Sequence, residues 1–311
     1  MSPCAQVRAA LRAVSGGALL PLAVALAAAS GAAGEGASAE PGAGAKPPSR
    51  IVSINPSLTA MLLALGAGDA LVGVDDYSAR QNPELAELPR VGGLHDTSLE
   101  AIVALAPDLV VLVPSLEQRD VRERLAELGI AQLALDPTSF DDVLGAIEAL
   151  GRRAGREDAA RTRVAAIRRA REERQRESAG RPRLRGVLVL TRDPLYVVGG
   201  GSFIDEMLAI VGVENLGRTL DGSYPRASLE WLVAARPELI LDAGGDDAAA
   251  RSFWSRWPSL PAVRDGRVVA IPEGVATLPG PWLDRGLETL AQAIASPPTY
   301  RRQPTLGDDE P

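Results

Sequence analysis

The chain has 311 residues, 46% hydrophobic and 23% charged, with a formal net charge of −7. That length suffices for two modest domains with cores of their own, and the composition is globular rather than disordered. The acidic balance speaks against a nucleic-acid protein, which needs a basic face. A single cysteine, Cys4, excludes an intrachain disulfide or a thiolate metal site.

Residues 1–33 read as a signal peptide. Arg8 and Arg12 form a positive start, Gly16 to Ala29 an apolar run, and small residues follow. The uncharged run is long enough for an uncleaved anchor, but Pro21 and several glycines and serines interrupt it. Cys4 leaves with this segment and no cysteine follows the apolar run. The expectation is therefore an exported periplasmic protein that is not a lipoprotein. Residues 34–49, built from Gly, Ala, Pro, Ser and Glu, read as a flexible leader.

Strands and helices then alternate, which implies βαβ units and mainly parallel sheets. The N-terminal lobe, 50–152, opens with a strand at 50–54. Asn55-Pro56-Ser57 breaks it, and a helix over 58–65 stops at Gly66. A strand at 70–74 leads to a loop holding Asp75, Asp76 and Tyr77, and a second loop, 91–97, holds Leu94 and His95. A helix over 116–128, a strand over 131–135 and a helix over 139–150 complete the lobe.

The spacing predicts one uninterrupted helix over 157–178, about 33 Å long at 1.5 Å per residue. Ala160, Val164 and Ile167 give it a short apolar stripe, and the rest is polar, with pairs such as Arg168/Glu172 and Glu172/Arg176 available at i,i+4. It reads as a rigid connector between lobes, or else as a surface helix of one of them. The C-terminal lobe, 181–295, begins with a strand at 185–190. Loops with Tyr196 and Gly199-Gly200-Gly201 follow, then a helix capped by Ser202, a turn at 221–225 with Tyr224, a last strand at 267–271 and a helix over 281–294 that starts beside Trp282. Residues 296–311 read as a disordered tail.

Two stretches are copies of one another. Ser98-Leu99-Glu100 runs through an apolar helix to Pro107-Asp108 and a buried strand, and Ser228-Leu229-Glu230 runs in the same spacing to Pro237-Glu238 and a strand. The fold class is therefore α/β, with two similar lobes, each presenting a glutamate (Glu100, Glu230) on the first turn of a short helix.

Catalytic signatures are absent: there is no Gly-x-Ser-x-Gly, no Walker loop and no His-Glu-x-x-His. The triple glycine before Ser202 precedes a helix, as a phosphate cradle does, but lacks the dinucleotide spacing; close backbone approach or a simple turn also accounts for it. His95, the only histidine, cannot build a zinc site alone, although it could be one axial ligand to a metal held in a macrocycle. Tyr77, Tyr196, Tyr224 and Trp282 fall at strand ends, where open α/β sheets bind ligands, and they suit a flat, partly apolar molecule. Trp231, Trp254 and Trp257 read as packing residues.

Four stretches carry a resemblance: Ile51 to Ser57, Leu99 to Val110, Leu195 to Glu206, and Leu260 to Val268. Together they resemble the helical-backbone periplasmic binding proteins of ABC importers for vitamin B12, heme and ferric siderophores, over roughly Arg50 to Ile294. The resemblance implies two α/β lobes joined by one long rigid helix, with cobalamin or an iron chelate as the bound ligand and no other cofactor. Pro56, Tyr77, Leu94, His95, Tyr196 and Tyr224 would line the cleft, with Trp282 standing where many relatives carry an arginine after Gly-Pro. Glu100 and Glu230 would dock onto arginines of a permease dimer served by its ATPase. A monomer, no nucleic-acid partner and no enzyme activity are expected, the alternative being an α/β enzyme acting on a small ligand in the same cleft.

Overall fold

A computed structural model describes residues 46–272 and 274–295. The signal segment with Cys4, most of the leader, and the 296–311 tail lie outside the described residues. The N-terminal lobe contains β1 (Ile51–Ser53), α1 (Pro56–Ala64), β2 (Leu71–Val74), α2 (Asp76–Gln81), α3 (Leu99–Ala104), β3 (Leu109–Leu112), α4 (Arg119–Glu127), β4 (Gln132–Ala134) and α5 (Phe140–Ala154). Its strands lie in the order β2-β1-β3-β4, all parallel. Then comes α6 (Glu157–Ser178), with the bounds the sequence predicts.

The C-terminal lobe holds β5 (Leu184–Arg192), β6 (Leu195–Val197), α7 (Phe203–Ile210), β7 (Val213–Asn215), α8 (Leu229–Ala235), β8 (Leu239–Asp242), α9 (Asp247–Trp254), α10 (Pro261–Arg264), β9 (Val268–Ala270) and α11 (Leu283–Ala295). Its sheet runs β6-β5-β8-β9, with β7 also beside β5. All pairings are parallel except the β5–β6 hairpin.

Local chemistry explains the helix starts. The Asn55 side chain accepts from the Ser57 and Leu58 amides, and Pro56 takes the first helical position, where its missing N–H is no loss. The helix thus begins two residues earlier than its hydrophobic pattern suggests. Ser139 and Asp142 form a reciprocal capping box on α5.

The two lobes share one core. A single apolar cluster joins Ile51, Val111, Phe140 and Ile147 of the first lobe to Leu188, Phe203, Met207, Leu241 and Leu287 of the second. Ala160, Val164 and Ile167 of α6 lie inside that cluster, so the predicted stripe is what α6 buries. Smaller clusters sit under α3 and α4 in one lobe and under α8 to α10 in the other.

The charges of α6 are used differently from the i,i+4 expectation. Arg168 pairs with Glu148 and Arg171 with Asp141, both on α5, while Arg163 pairs with Asp284 and Arg174 with Glu288 on α11. Arg176 donates to the Glu172 carbonyl instead of its carboxylate. With helices from both lobes packed against α6, four of its arginines meet acids across the helix interfaces, while Arg161–Asp158 and Arg174–Glu177 remain pairs within the helix at i,i+3.

Two outcomes follow from the shared core. Ile167→Ala should cost about 2–5 kcal/mol, since it opens a cavity where nothing can collapse inward. The lobes should also unfold in one calorimetric transition and change their mutual angle little between ligand-free and ligand-bound crystals. Two separate transitions, or a hinge-type reorientation, would contradict a common core.

Candidate ligand cleft and docking face

In the N-terminal lobe every strand is parallel, so all carboxyl ends meet at one edge. The loops there are tied to one another. The Asp76 amide donates to Gly92 O at 3.0 Å, the Val91 amide to Val74 O at 3.1 Å, and the Gln118 amide side chain reaches Thr97 Oγ1 at 3.5 Å. Pro56, Tyr77, Leu94 and His95 therefore share this edge. Pro56 and Tyr77 are buried, Leu94 is half-buried and His95 exposed.

Tyr77 is not in a plain loop, as the sequence suggests, but on the first turn of α2. Asp75 is the reason: its Oδ1 accepts from the Tyr77 and Ser78 amides at 3.0 and 2.9 Å. Burial pushes the Asp75 carboxyl above its ordinary value, against the lowering effect of the Ser78 hydroxyl and the amides it caps.

In the C-terminal lobe Tyr196 lies in β6 and is buried against the shared core. Tyr224 sits in the turn beside β6, half-buried on the same cluster. Burial pushes its phenol up to about 12, partly offset by a hydrogen bond with Ser202, so it stays neutral. Ser202 caps α7, and the next amide, Phe203 N, donates to Thr138 O of the other lobe at 2.8 Å. Tyr224 thus stands at the seam between lobes. Trp282 lies elsewhere: its indole is sandwiched between Arg163 of α6 and Arg285, 4.9 and 4.2 Å from the ring centroid, and it stays 38% exposed.

The triple glycine has a structural explanation. A Cβ on Gly199 would meet Gly222 O at 2.0 Å, so this glycine lets two backbones touch. Asp205 then ties the loop down, accepting from Gly201 N, Asn215 Nδ2 and Arg218 Nε.

Charge distinguishes these loops. The strand-end and turn segments carry Asp75, Asp76, Asp96, Glu117 and Asp136 in one lobe and Asp193, Asp221 and Asp246 in the other. Among the described residues of 54–57, 75–77, 92–97, 113–118, 135–138, 193–194, 221–225, 243–246 and 271–282 there is no lysine or arginine. Arg192, at the end of β5, is consumed by Asp242 in a two-pronged contact at 2.9 and 3.1 Å, and the Trp254 indole N–H and Gly244 amide complete that carboxylate's shell. Sequence reasoning missed that network, and it missed Leu116. Read as the start of a helix, Leu116 is instead 84% exposed in the loop after β3, and α4 begins at Arg119.

The repeated units match in detail. Ser98 Oγ accepts from Ala101 N and Ser228 Oγ from Trp231 N, both at 3.1 Å. Both helices end in a left-handed residue, Ala106 (φ 42°) and Arg236 (φ 50°). Arg50 and Arg185 donate to the terminal carbonyls of Leu105 and Ala235, and Asp108 and Glu238 accept from the amides of those same arginines. Glu100 and Glu230 are exposed in equivalent places. Hydrogen bonds from its own amide and from Ser228 hold the Glu230 carboxyl below its ordinary value.

Two parallel-stranded lobes on one helical spine, with ligand-type loops at the strand ends, define the class of a two-lobe binding protein. The chain belongs to the periplasmic binding protein family, whose profile matches residues 51–275. It is 29% identical to an uncharacterized ABC transporter substrate-binding lipoprotein, YvrC, of Bacillus subtilis, over 82% of each chain. It is 26% identical to the vitamin B12-binding protein of Vibrio cholerae, over 82% of this chain and 89% of that one. The crystal structure of the Vibrio cholerae periplasmic vitamin B12 binding protein BtuF superposes with a TM-score of 0.71 at 24% identity, covering 80% of this chain and 97% of that chain. A periplasmic heme binding protein from Pseudomonas aeruginosa superposes at 0.69 with 27% identity, covering 79% and 92%. The Bacillus relative is a lipoprotein, so the relatives lend no support to a chain without a lipid anchor. No described helix is long and apolar enough to cross a membrane.

Asp75 supplies a pH test. Its folded value lies above the ordinary 3.8, so folding favours the neutral form. That contribution is fully present below the ordinary value and is lost as pH rises through the folded one. Asp75→Asn, neutral throughout and still able to cap, should therefore gain stability relative to the native chain as pH rises from the ordinary carboxylate value through the raised folded one, and then level off. Denaturant titrations at several pH values check this; a pH-independent difference would count against it.

Proposed function

We propose that this chain is the substrate-binding protein of an ABC importer and that it captures a metal chelate between its lobes, cobalamin or another corrinoid first, heme or a ferric siderophore next. The observation that carries the order is the charge of the strand-end loops. Heme brings two propionates and many siderophores are anionic, and such groups are recognised by arginine forks. The loops here offer carboxylates, tyrosines and apolar groups; of the arginines that flank them Arg192 is spent on Asp242, while Arg226, paired across from Tyr196, stays exposed. A neutral corrin with amide side chains suits that surface. The B12-binding relatives support the same order.

Tyr77 and Tyr224 are the proposed anchors, one from each lobe, with Pro56, Leu94, His95 and Tyr196 as further contacts; Trp282, held between Arg163 and Arg285, is left out of the proposed site. Titrating purified protein with cyanocobalamin, followed by its visible absorbance, should show one site. Tyr77→Ala and Tyr224→Ala should each weaken it by about 1–3 kcal/mol. Unchanged titrations in both variants would remove the tyrosines from the site, and no binding of any corrinoid would remove cobalamin.

Glu100 and Glu230 are the proposed docking charges for a permease dimer. A first-turn glutamate also suits the helix dipole, worth about 0.3–1 kcal/mol, and the two roles differ in outcome. With Glu100→Ala and Glu230→Ala combined, docking predicts intact ligand affinity, slower uptake and a weaker, salt-sensitive complex with the transporter. A slightly less stable protein that transports normally would leave only the dipole role.

A further inference from the structure

Where α6 ends, two cavities meet, away from the strand-end loops. One, of about 500 Å³, is bounded by Arg171 and Gln175 of α6, the 178–183 turn, the end of α7 and Arg218. The other, of about 430 Å³, shares Ser178, Arg181 and Gly212 with it. In a chain of net charge −7 the larger recess gathers four guanidiniums, those of Arg171, Arg181, Arg183 and Arg218, against one carboxylate, Glu206. Such a volume matches sites for small molecules.

Arginines beside helix C-termini often only neutralise terminal carbonyls. Here that work is done by other groups. The Ser178 hydroxyl donates to Ile210 O at 2.9 Å, and the Ala179 amide to Gln175 O at 3.0 Å. Among the described residues the Arg181 and Arg183 side chains make no hydrogen bond or ion pair, and neither does the Gly180 amide, which sits in a left-handed turn (φ 75°). Arg171 pairs through one nitrogen with exposed Asp141, and Arg218 through its Nε with Asp205, which leaves donors on both.

We propose that this recess binds a compact multivalent oxyanion, a small molecule bearing phosphates or carboxylates, at a site separate from the ligand cleft. Arg181 and Arg183 supply the free forks, and the remaining donors of Arg171 and Arg218 close the recess from α6 and from the C-terminal lobe. Glu206 opposes the bound charge. Because Arg171 also holds Asp141 of the first lobe, an occupied recess fastens the connecting helix to both lobes, and ligand binding raises the stability of the whole chain.

The test uses the full mature chain with pyrophosphate and citrate at millimolar concentration, against sodium chloride at matched ionic strength. Expected are a saturating rise in Tm and one calorimetric site. The double variant Arg181→Ala/Arg183→Ala, which touches only exposed side chains, should bind roughly tenfold or more weakly. Glu206→Gln should bind more tightly. A Tm rise that merely tracks ionic strength, or one equal in the double variant, overturns the site. Co-sedimentation with phosphatidylglycerol vesicles, lost in the double variant and without any response to soluble pyrophosphate, would reassign the forks to a lipid headgroup and overturn the small-molecule ligand.

Discussion

The structure depends on the face that α6 lays against its neighbours. Ala160, Val164 and Ile167 are buried in a cluster that continues through α5 and α1 on one side and α7 and α11 on the other. These three are the buried positions of its 22 residues, and in proteins most helical stability comes from packing such a face rather than from propensity. Arg168 and Arg171 hold α5, while Arg163 and Arg174 hold α11. Exposed ion pairs such as Arg168–Glu148 contribute little individually, so the apolar stripe carries most of the stability, with the largely buried Arg163–Asp284 pair beside it. A spine held from both lobes also explains why the seam can be hydrogen-bonded directly, Phe203 N to Thr138 O, without a flexible hinge.

The repeated half-units show one local solution used twice. A serine caps a helix of two turns, a left-handed residue before proline ends it, and an arginine from the preceding strand start holds the last carbonyls. Ala106 and Arg236 lack the freedom of glycine, and a proline follows each, so the turn is strained at both sites by about 1–3 kcal/mol. The strain persists because Arg50 and Arg185 bond the carbonyls on one side of the turn while Asp108 and Glu238 bond the arginine amides on the other. The result is a rigid platform in each lobe, and the exposed glutamate on it has a fixed direction.

Much of this was legible beforehand because it is periodic or repeated. The 157–178 helix, its three-residue stripe, the first-turn positions of Glu100 and Glu230 and the parallel strands all follow from spacing or repetition. What escaped depends on contacts distant in the chain. Asp75 and Tyr77 read as a loop because the cap that makes α2 comes from one buried carboxylate, not from a hydrophobic period. Arg168 and Glu172 sit at the right spacing, yet a neighbouring helix places Glu148 within reach, and spacing along one helix cannot show that. The glycine at 199 announces a close approach without saying to what; the answer, Gly222 O, lies in another loop.

The cleft loops combine two properties that pull in opposite directions. Their aromatic and apolar groups favour burying a large flat ligand, while their carboxylates favour water. Burial resolves part of the conflict: Asp75 and Asp136 have carboxyls raised above the ordinary value, Asp75 by burial and Asp136 by burial with the Asp142 charge added. Asp242, fully buried, is instead matched by Arg192, Trp254 and Gly244, so its charge never faces the ligand. Glu117, Asp193 and Asp246 are left exposed at strand ends and turns, and on the proposed cleft they would repel an anionic ligand group. In a site of this kind specificity comes as much from the charge it repels as from the surface it covers.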